Sequence, residues 1–173
     1  MQRTELFRIT FRCVRPILAG YRARMNVTGF RSWLPAMALT MAALLASMDG
    51  YTQTGNTCAT PITISTFPHT SSNTTCGKVN DYGTQCGGSY GGGEDIVYQL
   101  NITTTGTYTI SATAIGGGSW LGWFLKSGAG CATAGTCLAN AVSGSGTVAT
   151  GTYNFTATGT YFLIIDTWPT PNC

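Results

Sequence analysis

After residue 53 the chain has only four carboxylates: Asp81 in VNDYG, the adjacent Glu94 and Asp95 after a glycine run, and Asp166 closing YFLIID. Carboxylates on loops, with backbone carbonyls beside them, are what a hard cation such as calcium takes as ligands, so these four are the candidate metal set. No D-x-D-x-D-G loop accompanies them. The structural alternative has Asp81 in an Asx turn, Asp95 capping a strand and Asp166 accepting from the amides of the following turn. Nucleophilic hydrolysis needs a base beside a nucleophile, and the one histidine, His69 in TFPHTSS, reads as an exposed residue of a proline-containing loop. GGSYG and SGSGT are degraded forms of G-x-S-x-G, and neither leads from an apolar strand into a helix. A glycosidase needs two carboxyls across one bond, whereas Glu94 and Asp95 face opposite ways if they open a strand. The expectation is a domain without catalytic activity.

Aromatic side chains offer a second kind of site. Trp168 stands in a turn and Trp120 in the strand expected near 119–126, with Tyr82 and Tyr90 in glycine-containing loops. Rings in such places can stack on sugars or polymer faces. Trp123 alternates with Leu121 and Leu125 and belongs to a core face, so Tyr90, Trp120 and Trp168 are the candidate ligand platform. Its partner would be an extracellular polysaccharide or a protein polymer. Asn73, Asn101 and Asn154 stand in N-x-T sequons, which matter only in a eukaryotic secretory pathway.

Charge and cysteines set the compartment. Seven arginines lie at or before Arg31; beyond residue 53 two lysines stand against four acids, leaving −2 and no basic surface for nucleic acid. From Met25 a short positive start leads into an apolar run over about residues 34–48 and then small and polar residues. That run has the length of a signal peptide and is too short for a membrane span. Residues 25–53 therefore read as a cleavable signal helix, residues 1–24 as an upstream extension outside the fold, and residues 54–173 as the mature domain, with no membrane association after cleavage. Six cysteines remain in that domain: Cys58, Cys76, Cys86, Cys131, Cys137 and Cys173. An even set in an exported chain implies disulfides. Short Gly- and Thr-rich loops favour Cys76–Cys86 and Cys131–Cys137, which leaves Cys58 for Cys173. Zinc is excluded by the single histidine and the lack of any C-x-x-C.

Thr, Val, Ile, Tyr and Phe dominate the mature part, with Gly and Ser clusters every eight to twelve residues. Strands are expected near 61–66, 95–103, 106–113, 119–126, 151–157 and 160–166. LNITTTGTYTI and YNFTATGTYFLII each read as an antiparallel hairpin around a glycine turn. No segment carries a capped helical stripe, so the class is all-β, an antiparallel two-sheet sandwich.

An ordered set of segments carries a resemblance. GNTCATPITI, TTCGKVNDYGTQC, GGGEDIVYQLNITTTGTYTIS and GTYFLIIDTWPTPNC together resemble secreted bacterial modules related to the pre-peptidase C-terminal domain, over about residues 55–173. The resemblance implies a jelly-roll-like sandwich serving as an accessory module of a longer secreted or surface protein, for attachment or assistance in secretion. It also implies one more strand after the W-P-x-x-C turn, so that a closing C-terminal strand is expected to be missing from this sequence. Two other readings are a carbohydrate-binding module using calcium or the exposed aromatics, and a piece of a secreted hydrolase, such as a peptidase, with its catalytic domain elsewhere.

Overall fold

The computed structural model describes residues 5–12 and 53–168, apart from Thr84, Ser89 and residues 116–119, 129–130 and 132–134. Nine strands follow one another: β1 (Glu5–Arg12), β2 (Ile62–Ile64), β3 (His69–Asn73), β4 (Ile96–Ile102), β5 (Gly106–Ile115), β6 (Leu121–Ser127), β7 (Cys137–Val142), β8 (Val148–Phe155) and β9 (Gly159–Thr167). There is no helix among the described residues. The expected signal helix and Cys173 lie outside them.

The strands form two sheets, ordered β3-β1-β5-β8 and β2-β4-β9-β6-β7. Alternation explains why both sheets fold onto each other. Tyr108, Ile110 and Ala112 on β5, with Ala149 and Phe155 on β8, share one buried cluster with Tyr98 and Leu100 of β4, Trp123 and Leu125 of β6 and Leu163 and Ile165 of β9. Two polar links cross this core. Trp123 Nε1 donates to the carbonyl of Ala149 at 3.2 Å, and Asn73 Nδ2 donates to the Tyr98 phenol at 2.9 Å. Burying those groups unpaired would cost about 1–3 kcal/mol each.

The sheets are mixed, not purely antiparallel as expected. β2 runs parallel to β4, and β1 runs parallel to both β3 and β5. Residues 5–12, placed by sequence in an extension outside the fold, form the second strand of the four-stranded sheet. β3 and β7 were not anticipated, because HTSSN and CLANAV carry few β-branched or aromatic residues.

Neither expected hairpin exists. β4 pairs with β9 and β5 with β8, so TTTG and TATG carry the chain from one sheet to the other. The two corners are built alike. Gly106 and Gly159 both adopt φ 146°, a region closed to side chains with a Cβ. Two residues later Tyr108 and Tyr161 each donate a hydroxyl hydrogen bond to the carbonyl four residues back, Thr104 and Ala157, both at 2.9 Å. A tyrosine tied to backbone upstream of its strand fixes such a corner.

Outside the five-stranded sheet a layer of loops covers its second face. Tyr82, Val97, Cys131, Phe162 and Ile164 form a separate buried cluster with Cys58 against it. β6 is buried on both faces from Leu121 to Lys126, and the loop at Gly88 reaches the ring of its outward residue Phe124. Cys58–Cys131 and Cys86–Cys137 are bonded. The pairings Cys76–Cys86, Cys131–Cys137 and Cys58–Cys173 are thereby corrected. Cys76 is disulfide-bonded too. Loop length misleads because the bridges fasten the outer layer to distant loops instead of closing each loop on itself.

One close approach gives a direct test of the core. A Cβ on Gly151 of β8 would stand 2.7 Å from Trp123 Cζ2, so the indole occupies the space a side chain would need. Gly151→Ala is expected to cost about 1–3 kcal/mol, read as a lower urea midpoint at unchanged slope.

Candidate functional site

The register of β4 and β9 opposes Ile96 to Ile165, which sets Asp95, one residue before β4, against Asp166 near the end of β9. Both carboxyls are fully buried. Asp95 Oδ2 accepts from the backbone N–H of Asp81 at 2.8 Å and of Tyr82 at 2.7 Å, closing the VNDYG loop onto the sheet. Asp166 Oδ1 accepts from the N–H of Thr167 at 2.6 Å. The remaining oxygens, Asp95 Oδ1 and Asp166 Oδ2, are buried without a donor from elsewhere in the protein. Burial and then the adjacent Asp95 charge push Asp166 up to about 9. Burial also raises Asp95, against the lowering effect of its hydrogen bonds. Burial beside a second acid favours the protonated form of the pair, with Asp166 the more strongly raised of the two.

The four acids anticipated as calcium ligands are thus divided. Glu94 Oε2 accepts from the N–H of Gly77 at 2.8 Å. Asp81 is exposed and supplies its backbone N–H. Asp95 and Asp166 face each other. Calcium takes six to eight oxygens, and no group of three His, Cys, Asp or Glu residues able to hold a metal exists among the described residues.

His69 opens β3 and is half-buried, not the exposed loop residue expected, and burial lowers its pKa. Tyr82 is buried, its hydroxyl accepting from the N–H of Cys58 at 2.7 Å, and is no platform.

The three aromatics anticipated as ligand contacts do converge. Trp120 and Trp168 have ring centroids 5.1 Å apart in an edge contact, and Tyr90 lies 6.4 Å from Trp120. The N–H of Trp168 donates to the carbonyl of Trp120 at 3.0 Å, and the N–H of Gly93 donates to the carbonyl of Thr167 at 2.8 Å. These bonds hold the 90–93 loop, the start of β6 and the end of β9 together, directly beyond the acid pair. Trp120 adopts φ 63°, an unfavourable conformation for a bulky residue. Strain of this kind collects where a side chain must be aimed.

This end of the two sheets carries more exposed apolar side chains than the sequence suggested. Val79, Ile115, Val142, Val148 and Trp168 are the exposed large hydrophobics among the described residues. The pairings Gly122–Val142, Thr113–Val148 and Leu121–Thr167 place four of them at the end where β5, β7 and β9 finish and β6 and β8 begin. Val79 lies on a loop, and its carbonyl accepts from Asp95 N–H at 3.4 Å. The valines and Ile115 escaped notice because each merely ends a strand. No helix among the described residues is long and apolar enough to cross a membrane.

Comparisons with known protein families, with characterised proteins and with solved structures find no match to this chain.

Proposed function

We propose that residues 54–173 are a secreted, non-catalytic accessory module of β-sandwich, jelly-roll-like form that attaches a larger extracellular protein of a bacterial cell to a polymer. The observation carrying this reading is the gathering of Tyr90, Trp120 and Trp168 with the exposed aliphatic residues at one end of the two sheets. Exposed apolar side chains collected at one end of a fold are a usual mark of an interaction surface, and an exposed ring such as Trp168 suits sugars. The two disulfides fit an oxidising compartment. The resemblance to modules related to the pre-peptidase C-terminal domain points the same way. Asp95 and Asp166 support this end from below, by tying the VNDYG loop and the β9 terminus, without contacting the polymer.

Affinity electrophoresis against a panel of insoluble and soluble polysaccharides tests the reading. Trp168→Ala is expected to weaken the retained interaction on the order of tenfold, about 1.4 kcal/mol, while leaving the melting temperature nearly unchanged because Trp168 is 41% exposed. Chelator is expected to change nothing. Retention unaffected by Trp168→Ala, or none on any polymer, rejects the aromatic end as the attachment surface.

A further inference from the structure

β1 holds an unusual place. All eight of its residues pair with β5, from Glu5–Tyr108 to Arg12–Ile115, and five pair with β3, from Phe7–His69 to Phe11–Asn73. Without it, β3 and β5 would each present a bare edge, the pairing template that proteins avoid exposing. Every other strand lies within residues 62–167, whereas β1 precedes the apolar run that reads as a signal peptide. On the export part of the function proposed above, cleavage removes β1 and leaves this seat.

The seat is shaped for a particular occupant. Ile9 is 1% exposed and lies between Ser71 of β3 and Ala112 of β5, two small residues that leave room for a branched side chain. Arg8, its neighbour, is exposed. In sequence, Phe7, Ile9 and Phe11 alternate with Arg8 and Thr10. β3 and β5 run in the same direction, so a strand of opposite direction would be antiparallel to both, the commoner and somewhat stronger pairing. β1 is therefore not the best strand this seat can hold.

We infer that the slot between β3 and β5 is a strand-acceptor site, filled in the exported protein by an extended segment of a second polypeptide with apolar residues at alternate positions. Backbone hydrogen bonds on both sides supply affinity, and the space between Ser71 and Ala112 selects the central apolar residue.

The experiment uses the full chain, wild type and Ile9→Asp, with a labelled peptide of residues 5–12 flanked by polar residues. Its readouts are fluorescence polarisation and amide exchange of β3 and β5. In the wild type the resident strand blocks the slot, and little binding is expected. Ile9→Asp introduces an unpaired charge beneath the sheet, so the peptide is expected to bind this variant saturably, at least about 100-fold more tightly than the same peptide carrying Ile9→Asp. If Ile9→Asp does not fold alone, recovery of its β-sheet circular dichroism on adding the peptide supports the same conclusion. A variant that neither binds nor is refolded by the peptide overturns the proposal. So does protection of β3 and β5 without peptide, which means the slot closes by itself, or a wild-type dimer exchanging residues 5–12 between copies. Signal cleavage is read separately by the N-terminal sequence of the exported product, so the two readings fail independently.

Discussion

Asp166→Asn is expected to raise the unfolding temperature at pH 8 on the order of 5–10 °C and to flatten its dependence on pH. Asp166 is fully buried and its carboxyl is pushed up to about 9, first by burial and then by Asp95. Between the ordinary carboxylate pKa near 3.8 and this raised value, the folded protein holds a proton that the unfolded chain has released. Stability from this group is therefore complete below about pH 4 and declines as pH rises through about 9, by up to about 1.4 kcal/mol per pH unit. Asparagine keeps the shape and carries a donor at every pH. Its amide can reach Asp95 Oδ1, which lacks a donor from elsewhere. Asp95 would then be satisfied by three donors, two of them the Asp81 and Tyr82 amides it already accepts. Asp95→Ala gives the contrasting result: both amides lose their acceptor, and stability falls at all pH values. Thermal melts of the three proteins from pH 4.5 to 9.5 decide the matter. A wild-type melting temperature that rises toward pH 9 would mean that the pair is held by something other than a proton.

What the sequence discloses about this fold follows from where its forces are local. β4, β5, β6, β8 and β9 lie close to their expected places because alternating Tyr, Ile, Leu and Phe mark a half-buried surface residue by residue. β3 and β7 take their strand conformation from neighbours, since His69–Asn73 and Cys137–Val142 show little preference of their own. TTTGTY and TATGTY display the turn but not its destination. A glycine at φ 146° and a tied tyrosine serve equally a chain that turns back and one that changes sheet, and only the partners β8 and β9 decide. The candidate site divides in the same way. Tyr90 and Trp168 stood out as rings in a loop and a turn and Trp120 as a ring near the start of its strand, and the three do meet. That Asp95 faces Asp166 needed the antiparallel register of β4 and β9, which no spacing between residues 95 and 166 expresses. The raised pKa of Asp166 is a consequence of that register, which brings a second acid beside it, and of complete burial.

The same long-range logic makes the disulfides the second place where a large effect is expected. Cys58–Cys131 spans 73 residues and Cys86–Cys137 spans 51. By the loop-entropy account the first is worth about 4 kcal/mol. Cys58 and Cys131 also border the cluster of Tyr82, Val97, Phe162 and Ile164, so their bond clamps the loop layer onto the five-stranded sheet. The hydroxyl of Tyr82 that accepts from Cys58 N–H depends on the same clamp. Replacing both Cys58 and Cys131 by Ser is expected to lower the melting temperature by ~10–20 °C. It should also raise amide exchange around residues 79–83 well before the β5–β8 ladder opens, because that ladder lies in the other sheet. Two separate short loops, Cys76–Cys86 and Cys131–Cys137, would give a different outcome: a free Cys131 partner, small local changes and an intact outer layer. Non-reducing peptide mapping of the wild type distinguishes these directly, since only the long pairing joins a peptide containing Cys58 to one containing Cys131. A map showing Cys131 bonded to Cys137 would remove the clamp and, with it, the reason that Val97, Phe162 and Ile164 are kept from water.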